Sequence, residues 1–494
     1  MKNYFLLGTL FISLIACQKQ EKVDIIVINA NAYTVNQNFD TAESFAIKNG
    51  KFVAVGSNNE IQNAFKATKI IDAKNQTIVP GLIDAHCHFA GLGSSLQQVN
   101  LRGTKSYDEV LQRLVTFKKE KNVAYITGRG WDQNDWEVKV FPTKEKLDKM
   151  FPNTPVAVRR VDGHALLVNE AALKFSGLSS TKFPKKINGG EFLQKNGKLT
   201  GVLIDAAMDY IKSPNSNIKE AIQGLLDAQK VTFSYGLTTV NDAGLERKTI
   251  ELIDSLQTTG DLKTRVYAMV SVSQKNLDYY LGKGVIKTDR LHVRSFKVYG
   301  DGALGSRGAA MRSSYSDREN HFGAMIFDPK RYEEIAEQIA NSKYQMNTHA
   351  IGDSANTHIL KTYKKVLKGQ KDRRWKIEHA QIISPEDFDL FNNIVPSIQP
   401  THATSDMYWA ETRVGKERMK GAYAFKDLLN TYGSVALGTD FPVEKVSPFL
   451  TFSAAVTRQD VEGYPKDGFQ MENALTREET LRGMTIWAAH SNFE

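Results

Sequence analysis

Cysteine is scarce in this chain of 494 residues, which contains only Cys17 and Cys87. If Cys17 carries a lipid, no disulfide can form within the chain. Internal repeats and low-complexity tracts are also missing, which excludes repeat arrays. The composition, 41% hydrophobic and 24% charged residues, indicates a globular protein with a large core.

The N-terminus lacks an apolar run long enough to span a membrane. In "MKNYFLLGTLFISLIACQKQEK" one lysine precedes the apolar run and small residues follow it, which is typical of a secretory signal over residues 1–17. "LIAC" resembles the lipobox of bacterial lipoproteins, which implies cleavage before Cys17, lipidation of that cysteine and anchoring to a bacterial membrane after export. The alternative is an ordinary signal peptide whose removal takes the region of Cys17 with it.

Acidic residues are outnumbered, and the net charge is +9. The densest basic stretch is "KTYKKVLKGQKDRRWK" (361–376). Aliphatic residues recur through it at helical spacing, so we interpret it as the solvated outer face of a helix. Contact with anionic lipid near the anchor is the alternative.

The pattern of residues 23–79 predicts a small all-β domain, a β-sandwich. β-Branched runs are broken by Asn and Gly turns, as in a meander, and "IKNGKFVAV" contains an Asn-Gly hairpin signal.

After residue 80, strand-like apolar runs alternate with helical patterns such as "RYEEIAEQIANS" (331–342). The runs are, in order, "GLIDAHCH", "GLTTVNDAG", "TRVYAMV", "SFKVYGDG", "QMNTHAIGD", "WKIEHAQ", "IVPSIQP" and "SVALGTDFP". Eight strands with intervening helices predict an α/β fold, a (β/α)₈ TIM-type barrel over residues 80–494. A large insertion, about residues 90–235, follows the first strand and contains strands of its own.

Nearly every predicted barrel strand ends in a residue that binds metals or moves protons. These residues are His86, His88, Lys297, Asp301, His349, His379 and Asp440. The carboxyl ends of barrel strands open onto the mouth where active sites form. Residues two apart on a strand share a face, so His86 and His88 point together while Cys87 points away.

Each of these signals has an ordinary alternative. A His-x-His pair alone is weak evidence, and His349 or His379 alone suits a partly buried structural histidine. In combination, four of the ten histidines and Asp440 fall at predicted strand ends, which indicates a metal site.

These motifs resemble the metal-dependent amidohydrolase superfamily, and within it the branch that contains N-substituted formamide deformylases. The resemblance rests on "PGLIDAHCH", "FKVYGDGALGSR", "NTHAIGD", "IEHAQ" and "LGTDFPV". It implies a (β/α)₈ barrel with a small β-sandwich built from both chain ends. It also implies that His86, His88 and Asp440 bind one divalent metal and that His349 and His379 bind a second. Lys297, as a carboxylated lysine, would bridge the two.

Two assignments have a physical basis beside the resemblance. Neighbouring cations need an anionic bridge, which a neutral lysine that takes up CO₂ supplies. The alternative for Lys297 is an ion pair, for instance with Asp301. Asp440 can bind metal and also accept a proton from the bound water.

The sequence leaves the substrate open. In the insertion, Trp131, Trp136, Arg160 and His164 are candidates to line the mouth, as is His402 beyond the seventh strand. A packed lid core and a surface hydrogen bond are the alternatives for the tryptophans and for His164. The chain stops at "MTIWAAHSNFE", before the strands that normally complete the family's sandwich, so we expect a fragment or an incomplete sandwich with an open edge.

The sequence therefore predicts a lipid-anchored hydrolase with one or two divalent ions, zinc being the expected metal, that cleaves an amide-type C–N bond by attack of metal-bound hydroxide. Its expected partners are a small-molecule substrate and the membrane, and not nucleic acid. The alternatives are hydrolysis of an ester or lactone at the same site, and a metal- or solute-binding lipoprotein without catalysis.

Overall fold

A computed structural model describes residues 20–161, 163, 165–187, 190–214 and 218–494. The predicted signal segment with Cys17, and also His164, therefore lie outside the described residues. The chain divides into two compact units between Gly81 and Leu82. Within the described ranges, no helix combines the length and the apolar character needed to cross a membrane.

The N-terminal unit packs two small sheets over an apolar core. Its elements are β1 (Glu21–Ile28), β2 (Asn31–Tyr33), β3 (Thr41–Ala42), β4 (Ser44–Lys48), β5 (Lys51–Gly56), α1 (Asn58–Ala64), β6 (Phe65–Asp72) and β7 (Thr77–Ile78). One sheet has the order β5-β4-β1-β6 and the other β3-β2-β7. Val27 and Phe45 of the first sheet share a cluster with Ala32 of the second. The described part of this unit is therefore a small two-sheet domain formed by the N-terminal end of the chain, and a sandwich built from both chain ends stays a prediction.

The connections in this unit differ in part from the prediction. Asn49 and Gly50 form the predicted hairpin turn, with φ values of 52° and 71° that suit a two-residue loop. The prediction of a meander, in which successive strands pair antiparallel, is wrong. The chain continues from β5 through α1 into β6, and β6 pairs parallel with β1. The outer strands β5 and β6 expose Phe52 and Ile70, so both edges of the larger sheet carry apolar surface.

The second unit contains the predicted barrel and its insertion. Its strands are β8 (Leu82–Cys87), β9 (Val99–Asn100), β10 (Ile126–Trp131), β11 (Val156–Arg160), β12 (Ala165–Val168), β13 (Gly190–Lys195), β14 (Lys198–Asp205), β15 (Leu237–Leu245), β16 (Arg265–Ser271), β17 (Ile286–Lys287), β18 (Leu291–Tyr299), β19 (Gln345–Ala350), β20 (Lys376–His379), β21 (Val395–Ile398) and β22 (Ala436–Leu437). Its helices are α2 (Phe89–Ser95), α3 (Tyr107–Lys121), α4 (Glu145–Met150), α5 (Glu170–Phe175), α6 (Ile218–Ser234), α7 (Arg247–Thr259), α8 (Gln274–Lys283), α9 (Pro329–Ala340), α10 (Asp353–Leu367), α11 (Pro400–Asp406), α12 (Ala410–Val414), α13 (Phe425–Tyr432), α14 (Pro448–Thr457), α15 (Arg477–Gly483) and α16 (Ile486–Ser491).

The barrel is a nearly closed parallel sheet with the order β22-β21-β20-β19-β18-β16-β15-β8. All eight predicted strands are confirmed. The first and last strands meet just beyond β22, where the Asp440 N–H donates to the His86 carbonyl and the His88 N–H to the Phe441 carbonyl, each at 2.8 Å. A Cβ atom at position 438 would lie 2.4 Å from the backbone nitrogen of His86, so the close approach of these two chain segments requires Gly438.

The insertion forms its own six-stranded sheet with the order β13-β14-β12-β11-β10-β9. Its strands β10, β11 and β12 fall within "AYITGRGW" and "PVAVRRVDGHALLVN", the stretches of the insertion that the sequence predicts to be strands. Trp131 and Trp136 are buried in the apolar cluster beneath this sheet. The insertion is therefore a packed layer with its own core.

The basic stretch begins on α10, where Lys361 and Lys364 are exposed and Tyr363 and Val366 are buried. This confirms the interpretation as the outer face of an amphipathic helix for residues 361–367, whereas Lys376, at the end of the stretch, is buried on β20. Contact with lipid stays a prediction.

Candidate metal centre and active site

The polar residues predicted at the strand ends converge on one site. His86 Nε2 lies 3.3 Å from Lys297 Nζ and 3.6 Å from Asp440 Oδ1. His88 Nε2 lies 3.1 Å from the same Asp440 oxygen. The potential ligand atoms of His86, His88 and Asp440 are all within 4.8 Å of one another, which is the spacing of donors around one cation.

His349 and His379 extend this cluster on the neighbouring strands. Their ring centroids are 4.5 Å apart, and those of His86 and His379 are 4.8 Å apart. His349 Nε2 is buried and has no hydrogen-bond partner among the described residues. A buried polar atom is costly unless a partner satisfies it, so this nitrogen fits a site built for a cation.

Burial sets the protonation of the histidines. It lowers the pKa of His349 to about 3 and that of His379 well below its usual value, and it also lowers the pKa of His86. These rings are therefore neutral near pH 7, and each keeps a nitrogen lone pair. Metal ligation requires that state, so the histidines fit a divalent cation.

Asp440 connects the histidine cluster to His402. Its Oδ2 lies 3.2 Å from His402 Nε2, and His402 Nδ1 lies 3.2 Å from Glu444 Oε1. Burial opposes charge on His402, but these hydrogen bonds outweigh it and raise the pKa to about 10. Both ring nitrogens then donate to carboxylates. His379, His402 and Asp440 also lie within metal-binding distance of one another.

Opposing effects also act on Asp440. Burial raises its pKa, but hydrogen bonds from His402 and His88 outweigh burial and hold the pKa well below the usual carboxyl value. Asp440 is therefore an anion at neutral pH that offers one oxygen to the histidine cluster and the other to His402.

Sequence reasoning missed the residues that orient these side chains. Glu378 Oε2 lies 2.5 Å from His86 Nδ1, and both side chains are fully buried. Gln399 Oε1 is 2.7 Å from His379 Nδ1, and the Ala243 carbonyl is 2.9 Å from His88 Nδ1. In each of these histidines Nδ1 is fixed by a hydrogen bond and Nε2 remains available to bind a metal, as is usual for histidine ligands in metal sites. The only sign of Glu378 and Gln399 in the sequence is that each is a polar residue within or just after a buried strand.

Glu378 provides a test of this orienting shell. We expect Glu378→Gln to weaken zinc affinity about 10–100-fold, because the amide removes the negative partner of His86. A metal titration on the refolded apoprotein measures the change. Glu472→Gln, on an exposed glutamate outside the site, is the matched control. Equal zinc affinity in all three proteins would contradict the orienting role.

The structure decides against one alternative for Lys297. Its Nζ is buried, and no salt bridge joins it to Asp301. Asp301 instead accepts hydrogen bonds from the backbone N–H groups of Ala310, Ile351 and Gly352. Asp301 thus fixes the loops behind β18 and β19, and the ion pair with Lys297 is not formed.

The candidates for substrate contact lie in different environments. His402 joins the site. Trp131 is fully buried and donates from Nε1 to the Val158 carbonyl, and Trp136 belongs to the same cluster. Arg160 pairs with Asp132 at 2.5 Å. The burial of both tryptophans in this cluster agrees with the alternative given above, in which they pack in the core of a lid. Substrate contact by Trp131 stays a prediction, and His164 lies outside the described residues.

Comparisons with known proteins agree with this geometry. The sequence profile of an amidohydrolase family, Amidohydro_3, matches residues 69–494. The chain is 32% identical to Protein LONG AFTER FAR-RED 3 of Arabidopsis thaliana over 88% of this chain and 78% of that protein. It is 24% identical to the N-substituted formamide deformylase of Arthrobacter pascens over 95% of this chain and 89% of that enzyme.

A solved structure supports the same relationship. An uncharacterized metal-dependent hydrolase from Pyrococcus horikoshii OT3 superposes with a TM-score of 0.78 at 26% identity, covering 95% of this chain and 93% of that one. The barrel, the converging histidines and the family match lead to one conclusion. The chain belongs to the amidohydrolase family, metal-dependent hydrolases that act on carbon–nitrogen bonds.

Proposed function

We propose that this enzyme hydrolyses an N-substituted amide or formamide. The observation that carries the proposal is the position of Asp440, whose buried Oδ1 faces His86 and His88 while Oδ2 faces His402. A carboxylate held between metal ligands and a second histidine is placed to move a proton during hydrolysis. The name of the Arthrobacter pascens relative supports the choice of an N-substituted formamide.

The ligand set suits one or two divalent ions, with zinc as the expected metal. His86, His88 and Asp440 would hold one ion, and His349 and His379 a second. When bound, such an ion supplies Lewis-acid activation of water and of the scissile carbonyl.

The side chains of the protein transfer the proton and orient the reacting groups. Asp440 takes a proton from the attacking water and delivers it to the leaving nitrogen. His402, held on its far side by Glu444, donates to Asp440 Oδ2 and so fixes the carboxylate plane. Neutral His86, His349 and His379 keep their lone pairs directed into the site.

Lys297 is proposed as a carboxylated lysine that bridges the two ions. Its Nζ is buried 3.3 Å from His86 Nε2, and burial lowers its pKa, which favours the neutral amine that reacts with CO₂. The resulting carbamate adds one negative charge among neutral histidines.

Substrate comparison tests the proposed function. The zinc-loaded protein is assayed with formanilides, N-alkylformamides and matched esters, before and after chelation and zinc re-addition. We expect metal-dependent hydrolysis of the amides. Faster hydrolysis of esters with no amide turnover would favour the ester or lactone alternative, and no turnover of either class would favour a binding protein.

Membrane anchoring through Cys17 is a separate proposal, which rests on the lipobox resemblance. We expect Cys17→Ser to move the protein from the membrane fraction to the soluble fraction, because the lipid cannot be attached to serine. Fractionation of expressing bacteria with an immunoblot measures this. Equal partitioning of wild type and variant would refute the anchor.

A further inference from the structure

A cavity of about 600 Å³ lies beside the candidate active site. Its walls include Thr404 of α11, Tyr408, Glu444, and Leu450 and Ser453 of α14. Both helices follow the last strands of the barrel, so the cavity lies at the mouth. Its volume is within the range of small-molecule sites, roughly 300–1,000 Å³.

One residue belongs to both the cavity and the catalytic cluster. Glu444 lines the cavity, and its Oε1 is 3.2 Å from His402 Nδ1 and 2.7 Å from the Ser405 hydroxyl, which donates to it. His402 is in turn 3.2 Å from Asp440 Oδ2. A single hydrogen-bonded chain therefore leads from Asp440 to the cavity wall.

The rim of this cavity carries exposed apolar side chains beside polar ones such as Lys445 and Gln459. Tyr408, Val461 and Tyr464 are 60%, 66% and 57% exposed, and the rings of Tyr408 and Tyr464 stack with centroids 5.7 Å apart. Asp460, the acidic residue beside them, is already engaged by the Tyr408 hydroxyl and by the backbone N–H groups of Glu462 and Tyr464. Exposed apolar groups gathered around a cavity mark a ligand surface.

We propose that this cavity binds an apolar substituent on the leaving nitrogen of the substrate. The inference rests on the proposed function and narrows its substrate class to amides with an extended apolar N-substituent, such as a chain of about six carbons. Methyl-sized substituents would leave most of the cavity unfilled.

The position of the apolar group follows from the proposed substrate. A formyl group carries only hydrogen on its acyl side, so in an N-substituted formamide the apolar group that extends toward Glu444 and α14 is the one on nitrogen. A cavity that takes an apolar acyl group instead is the alternative.

The test fills the cavity and compares substrates. Ser453 is exposed on α14, so Ser453→Phe adds bulk to the cavity without entering the core. The matched control is Ser255→Phe, at an exposed serine of α7 outside the cavity. For each protein, kcat/KM is measured with N-hexylformamide, N-methylformamide and N-methylhexanamide, in which the chain is on the acyl side.

We expect wild type and Ser255→Phe to prefer N-hexylformamide over N-methylformamide by about 10³-fold, since the hexyl chain adds about five methylenes and each buried methylene contributes about fourfold. Ser453→Phe should reduce this preference at least tenfold. A preference unchanged by Ser453→Phe would overturn the proposal, as would a loss confined to N-methylhexanamide, which would assign the cavity to the acyl side.

Calorimetry with the amine products separates this inference from the proposed function. Wild type should bind hexylamine at least tenfold more tightly than methylamine, and Ser453→Phe should lose this difference while Ser255→Phe keeps it. That pattern supports the cavity assignment even if no amide is hydrolysed. Equal binding of both amines to wild type would overturn the assignment even if amides are hydrolysed.

Discussion

Asp440→Asn is expected to lower turnover about 10²–10⁴-fold while most of the metal stays bound. The asparagine side chain keeps an oxygen for a cation, and its NH₂ group can donate to His402 once that ring, no longer beside the Asp440 charge, is neutral, so the ligand geometry is largely preserved. It cannot accept a proton at neutral pH, so the attacking water keeps its proton and the leaving nitrogen receives none.

The measurement pairs steady-state kinetics on a formanilide with metal analysis of the same sample. Asp427→Asn, at an exposed aspartate of α13, controls for the change of charge. Turnover within a few-fold of wild type in Asp440→Asn would remove the proton-transfer role. Loss of all metal would reduce Asp440 to a ligand.

Lys297→Ala should abolish nearly all activity and lose the second metal. The removed side chain is the proposed anionic bridge, and two cations about 3.5–4 Å apart repel each other strongly without one. Added acetate or propionate should restore part of both metal content and activity, because a short carboxylate fits the vacated position. The same salts should leave the wild type unchanged.

Lys297→Arg separates the bridge from a structural cation. Guanidinium stays charged and does not take up CO₂, so this variant should fail as well. A structural lysine predicts the opposite pattern, in which arginine is tolerated, metal content is unchanged and carboxylate has no effect. That pattern would leave a single metal held by His86, His88 and a subset of His349, His379 and Asp440.

The barrel and the convergence of its ligands were predictable from the sequence because both depend on local patterns. Buried parallel strands are short apolar runs, and their carboxyl ends share one face of the barrel. Residues such as His349 and Asp440 stand at those ends, so their convergence follows from the topology. Their spatial grouping needed no knowledge of side-chain contacts.

The supporting contacts were not predictable in the same way. Glu378 contacts His86 although 292 residues separate them. The usual alternation of side chains also fails at the end of β20, where His379 has φ 77°. A positive φ at a non-glycine residue is a sparsely populated conformation that concentrates at functional sites. The parallel pairing of β6 with β1 was also not predictable, because nothing in the sequence of β6 specifies which strand it pairs with.

Metal binding to the residues of the first strand tests the central claim most directly. Metal content and formanilide hydrolysis are measured for wild type, for the double variant His86→Ala with His88→Ala, and for Cys87→Ala as a control between the two ligands. We predict one or two zinc ions and metal-dependent hydrolysis in wild type and Cys87→Ala, and neither in the double variant, whose circular dichroism should still report a folded barrel. A folded double variant that retains full zinc and full activity would contradict the account.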